Sequence, residues 1–125
     1  MRMLIVEDEA LLALNTQLEL AGMCHEVVGI ADSAEAALKL AAEERPDLIL
    51  MDIVLQGDVN GIDLAREICR MHPGIKIIFM SAHSDGQTIR SANGISHLGF
   101  LNKPFEAYQI EGLLMRALEE REGAQ

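Results

Sequence analysis

Five polar side chains stand at the ends of apolar runs in this sequence, and their types together suggest one chemistry. Glu7 and Asp8 follow Met3-Leu4-Ile5-Val6, Asp52 follows Leu48-Ile49-Leu50-Met51, Ser81 follows a run ending at Met80, and Lys103 follows one ending at Leu101. A carboxylate is costly inside a sheet but well placed just past a strand's carboxyl end, where open α/β folds hold their ligands. If these runs are parallel strands of one sheet, three carboxylates share a crevice and repel one another unless a cation sits among them. Hard oxygen donors that are few and open to water suit Mg²⁺. Asp52 is then a nucleophile beside a hydroxyl at Ser81 and an ammonium at Lys103. Metal, ammonium and hydroxyl would share the charge of a phosphoryl group in transit, so the arrangement fits phosphoryl transfer to Asp52.

Placing these residues at one edge requires a regular alternation of strands and helices. The run at 48–51 has no polar interruption, as expected of a strand covered by helices on both faces. Leu11, Leu14, Leu18 and Ala21 recur at helical spacing up to Gly22, and predict a first helix whose leucine stripe faces the sheet, with Asp8 or Glu9 as its cap. Residues 25–31 read as the second strand. Asp32-x-x-Glu35 resembles a capping signal for a helix carrying Ala34, Ala37, Leu38 and Ala41, which ends before Pro46.

After the third strand, residues 53–60 read as a loop, followed by a third helix marked by Ile62, Ala65, Ile68 and Cys69 and stopped at His72-Pro73-Gly74. Residues 75–80 form a fourth strand. The span 85–95 is the weakest helix, because Gly86, Ser91, Asn93 and Gly94 lower its propensity, and it is expected to be mobile. A short fifth strand at 98–101 and a closing helix with Ile110, Leu113, Leu114, Ala117 and Leu118 complete the chain. Units of about 25 residues of this kind predict an α/β doubly wound, five-stranded parallel sheet with five helices.

The 125 residues suit one domain, 1–125. A net charge of −10, from 20 acidic and 10 basic residues, argues against direct nucleic-acid binding, which needs a basic stripe. No apolar run approaches the ~20 residues that span a bilayer, and a cytoplasmic location is expected. Cys24 and Cys69 lack a paired spacing and read as reduced core thiols. His25, His72 and His97 have no ligand spacing and read as surface or structurally satisfied residues.

Glu7-Asp8, Asp52, Ser81, Phe100 and Lys103-Pro104, in that order and at those intervals, resemble the receiver domain of two-component response regulators over the whole chain. The resemblance implies the flavodoxin-like strand order 2-1-3-4-5. It implies that Asp52 accepts phosphate from a phosphohistidine on a histidine kinase or histidine phosphotransfer protein. Mg²⁺ would be held by Asp8, Asp52, the main-chain carbonyl of Val54 and, through water, Glu7. Ser81 and Phe100 match the switch pair, Lys103 would pair with the phosphate, and Lys103-Pro104 would be cis. Val54 and His83 occupy positions bordering the path of the attacking water, and apolar Val54 is expected to slow hydrolysis.

Three departures from the family pattern stand out: serine rather than threonine at Ser81, a loop one residue longer at 53–61, and no proline in that loop. On this reading the chain is no enzyme but a phosphoacceptor that assists its own phosphorylation and dephosphorylation. If 125 residues is the complete product, its output would pass to an unknown downstream protein or a phosphorelay; if the chain is a piece of a longer one, an effector would follow. Homodimerisation through the last two helices and fifth strand is a further option.

The plainer readings stand beside these. Asp52 can be a solvated strand end, Glu7 and Asp8 a helix cap, and Phe100 ordinary core, its switch role resting on the resemblance alone. A phosphorylation-independent receiver-like adaptor is the alternative within the fold. An aspartate-nucleophile phosphatase would need an acid where Val54 stands, and a flavin carrier would need a phosphate-cradling loop where Glu7-Asp8-Glu9 would repel the phosphate.

Overall fold

The apolar runs assemble as a five-stranded sheet in a computed structural model that describes residues 1–55, 59–82, 86–95 and 97–123. The elements are β1 (Arg2–Val6), α1 (Ala10–Gly22), β2 (Glu26–Ala31), α2 (Ala34–Glu44), β3 (Leu48–Asp52), β4 (Val54–Leu55), β5 (Val59–Asn60), α3 (Gly61–Met71), β6 (Lys76–Ser81), α4 (Gly86–Ser91), β7 (His97–Asn102) and α5 (Ala107–Gly123). The main sheet has the order β2-β1-β3-β6-β7 with every pair parallel, which is the predicted 2-1-3-4-5 order of its five long strands.

Alternation along each strand divides the core in two. Leu4, Val6, Ile49, Met51, Ile77 and Phe79 face one side, where Ala37 and Ala41 of α2 and Ile62, Ala65 and Ile68 of α3 pack. Met3, Ile5, Leu48, Leu50, Ile78 and Met80 face the other, against Ala13 and Leu20 of α1 and Ile110, Leu113 and Leu114 of α5. Each large aliphatic side chain removed from water contributes about 1.5–3 kcal/mol. Doubly covered strands therefore anchor the sheet, and their carboxyl ends carry the polar residues.

Several local expectations are corrected. The α1 stripe is inverted: Leu11, Leu14 and Leu18 are 79%, 49% and 70% exposed, while Ala13, Thr16 and Leu20 are buried. Both sets lie at helical spacing. The small Ala13 and Thr16 allow the helix to approach the sheet, and the Thr16 hydroxyl is satisfied by donating to the Leu12 carbonyl oxygen at 2.9 Å. Glu9 occupies the cap position of α1 without a side-chain hydrogen bond, so neither it nor Asp8 caps the helix by side chain.

At α2 the cap is Ser33, whose Oγ accepts from the Ala36 N–H at 3.2 Å, one residue beyond the predicted signal. The span predicted as a loop at 53–60 contains an antiparallel pair of two-residue strands, β4 and β5. Helix α4 ends at Ser91 rather than 95. Cys24 is exposed, with a positive φ of 67°, and is not a core thiol. His83 lies outside the described residues.

Candidate functional site

Strands β1, β3, β6 and β7 end at one edge, and their terminal residues meet there. Glu7 follows β1, is 2% exposed and donates its backbone N–H to the Ala31 carbonyl at 2.9 Å, which fixes it against β2. Asp52 closes β3 and is also buried, because the Ile53 N–H continues the sheet by donating to Met80 O at 3.0 Å. Ser81 closes β6, buried, and its carbonyl accepts from the Lys103 N–H at 2.7 Å. That bond ties the Lys103 loop to the sheet edge, where the Lys103-Pro104 peptide is cis.

The side chains form one network. Lys103 Nζ donates to Asp52 Oδ2 at 2.8 Å and to Glu7 Oε1 and Oε2 at 2.9 and 3.2 Å. Asp52 Oδ1 accepts from the Val54 N–H at 3.1 Å. Oxygen atoms of Glu7, Asp8 and Asp52 all lie within 4.8 Å of one another. Val54 is 72% exposed, so its backbone serves the site while its side chain lies in solvent.

Burial is the main reason the Glu7 carboxyl is pushed up to about 8, and its hydrogen bond with Asp52 adds to the rise; Lys103 offsets only part of it. Burial lowers the Lys103 ammonium, but the hydrogen bonds to Asp52 and Glu7 outweigh that and hold it above its ordinary value. Glu7 and Asp52 thus share one lysine as their close cation among the described residues, with the Asp8 carboxylate beside them. A divalent cation fits this donor set: oxygen ligands only, more acid than the lysine neutralises, and one acid driven toward its neutral form chiefly by burial.

Phe100 lies on β7, partly buried, with its ring stacked on Phe79 at 5.2 Å between centroids. Sequence reasoning placed Glu7, Asp8, Asp52, Ser81 and Lys103 at one edge, and the resemblance added Val54; the structure has these residues at the same sheet edge. It missed two residues that shape the region. One is Gly61, whose absent side chain lets α3 start against the Asp52 carbonyl; the Asn60-Gly61 pair marked a helix start but not this approach. The other is His97, which packs against Phe79 and Phe100, and whose spacing carried no signal.

The chain is similar to known proteins. The chain is 31% identical over 109 residues to the chemotaxis protein CheY of Thermotoga maritima, covering 87% of this chain and 90% of that protein. It is 30% identical over 116 residues to the phyllosphere-induced regulator PhyR of Methylorubrum extorquens, covering 92% of this chain but only 42% of PhyR. Among solved structures, the signal receiver domain of a modulated diguanylate cyclase from Desulfovibrio desulfuricans superposes with a TM-score of 0.84 at 29% identity, over 99% of this chain and 98% of that one. Residues 3–114 match the family model of the response regulator receiver domain, and the chain belongs to that family, the receivers of two-component signalling.

Proposed function

We propose that Asp52 accepts a phosphoryl group from a phosphohistidine on a sensor kinase or phosphotransfer protein, and that the modification changes partner binding through Ser81 and Phe100. The observation that carries this reading is the Asp52 carboxylate itself, held between Lys103 Nζ and the Val54 N–H beside Glu7 and Asp8.

Glu7, Asp8, Asp52 and the Val54 carbonyl are the groups that would hold Mg²⁺. When bound, the ion supplies positive charge that offsets carboxylate repulsion and draws on phosphoryl oxygens. An Asp52 oxygen attacks phosphorus as the P–N bond to the donor imidazole breaks. The bond's electron pair stays on the imidazole nitrogen, and the proton carried by the ring's other nitrogen makes the departing histidine neutral. Lys103 follows the charge from the carboxylate to the phosphoryl oxygens, and the Ser81 hydroxyl donates to them. The reading is tested with acetyl phosphate: mass spectrometry of the Mg²⁺-containing reaction should show one phosphoryl group, mapped to the peptide bearing Asp52. No adduct, an adduct elsewhere, or one formed equally well in chelator would overturn it.

The exposed stripe of α1 supports a protein donor. Leu11, Leu14 and Leu18 stand on a helix that begins two residues after Asp8, and Glu19 is the single charged residue along it. A donor histidine must reach a sunken carboxylate, so its carrier has to rest on the flanking wall, and an uncharged leucine stripe suits an apolar helix face. Leu14→Glu combined with Leu18→Glu should slow transfer from a phosphohistidine protein by about tenfold or more. Phosphorylation by acetyl phosphate should keep its rate. Equal slowing with both donors would remove the stripe from this role.

A further inference from the structure

Strand β7 is irregular beside Phe100. His97 pairs with Ile77 and Gly99 with Ile78, which leaves one extra residue in β7 between them. Gly99 has a φ of +152°, and a Cβ there would lie 2.9 Å from Leu113 Cδ2, so the irregularity is built around glycine. In a regular strand, residues three apart point to opposite faces. The bulge instead brings His97 and Phe100 onto the face that carries Phe79.

The three rings meet there. His97 and Phe100 are 5.2 Å apart at 71°, edge to face. Phe79 and Phe100 are 5.2 Å apart at 25°, and Phe79 and His97 are 5.6 Å apart at 60°. These are favourable separations and tilts for aromatic pairs. The His97 backbone N–H donates to Ile95 O at 2.9 Å, whereas its Nδ1 is buried with no hydrogen-bond partner among the described residues. A buried polar atom left unpaired is unfavourable, so the ring's position is maintained by its packing. Burial lowers the His97 pKa, in keeping with a neutral ring used as an aromatic surface.

We propose that His97 is a positioning residue that holds Phe100 in the arrangement belonging to unmodified Asp52, and so sets the threshold for switching. This rests on the role given to Phe100 above. The three-ring stack coexists with Lys103 Nζ placed 2.8 Å from Asp52 Oδ2, an ion pair to the free carboxylate that esterification would replace. If Phe100 moves between two positions, a ring contact made in only one of them biases the equilibrium toward that one. A phosphoryl mimic must work against that bias.

The test is a titration of the full chain with beryllofluoride in saturating Mg²⁺, followed by ¹⁹F NMR. His97→Ala should bind about 2- to 10-fold tighter than the parent, the range given by losing one aromatic pair. His97→Phe keeps a ring edge and should stay within about twofold. His97→Val carries the expectation of the alanine variant should that protein not fold. Tightening separates this role from a structural one, since loss of packing lowers the melting temperature without improving affinity. Unchanged or weaker binding by folded variants of a parent that binds would overturn the inference alone. A parent that does not bind would overturn the phosphoacceptor reading, and this inference with it.

Discussion

Gly61→Ala is expected to destabilise the protein by more than about 3 kcal/mol or to prevent folding, because overpacking against backbone cannot be relieved by a rotamer change. A Cβ at this position would stand 1.9 Å from the Asp52 carbonyl oxygen, 2.8 Å from its carbon and 2.9 Å from Ile53 Cα. All three neighbours are main chain. The Gly61 N–H is also committed to the Ile53 carbonyl, so the start of α3 cannot retreat without breaking that bond. Asn60 fixes the same turn through its side chain, which accepts from the Ile62 N–H at 2.8 Å. Urea denaturation measures the loss, with Gly112→Ala as a control: nothing lies within 4 Å of a Cβ there. Alanine in that helix should be stabilising by about 0.5–1 kcal/mol. A loss below about 1 kcal/mol at Gly61 would show that the close approach does not govern stability. The same contact places the end of the strand that carries Asp52, so any folded Gly61→Ala protein should also carry a displaced Asp52.

The parts of this molecule that were legible beforehand are those where one physical rule acts alone. Strands β1, β3 and β6 are covered on both faces, so their runs of Leu, Ile, Val and Met allow no other placement, and the polar residue closing each run marks the sheet edge. That sufficed to bring Glu7, Asp52 and Ser81 together. Where two rules compete, the sequence left the outcome open. Helix α1 is apolar on most of its surface, so periodicity could not tell the leucine face from the Ala13-Thr16-Leu20 face; packing distance chose the smaller side chains. At α2, Asp32 and Ser33 are both good caps, and the geometry selects Ser33.

The features that went unseen depend on pairing across long sequence separations. The short β4–β5 ribbon, the extra residue in β7 and the resulting encounter of His97 with Phe100 exist only once the strands are in register. Gly61 is similar: its sequence neighbours announce a helix start, while its need to be glycine comes from Asp52, at the end of β3. Which polar residues gather at the sheet edge was thus readable from residue type and position, whereas the packing around them was set by tertiary contact.

Glu7→Gln is expected to stabilise the metal-free protein by an amount that grows with pH, from near zero at pH 5 to on the order of a few kcal/mol at pH 9. The Glu7 carboxyl is raised from 4.5 to about 8, first by burial and then by its hydrogen bond with Asp52. An acid whose folded pKa exceeds its unfolded one holds its proton more tightly in the fold. Its contribution to stability is therefore complete below about 4.5 and is lost as pH rises through about 8. Glutamine keeps the shape and the neutral state at every pH, and Lys103 retains Asp52 as an ionic partner at 2.8 Å. A cation in the cluster reverses the preference, because it favours the ionised acid. Mg²⁺ should thus stabilise the parent more strongly as pH rises, and the variant less at each pH. Urea melts at pH 5 and 9, with Mg²⁺ and with chelator, separate these effects. A stability gap in chelator that stays flat between the two pH values would mean that Glu7 is already ionised in the fold, and that repulsion among the three acids is absorbed by Lys103 alone.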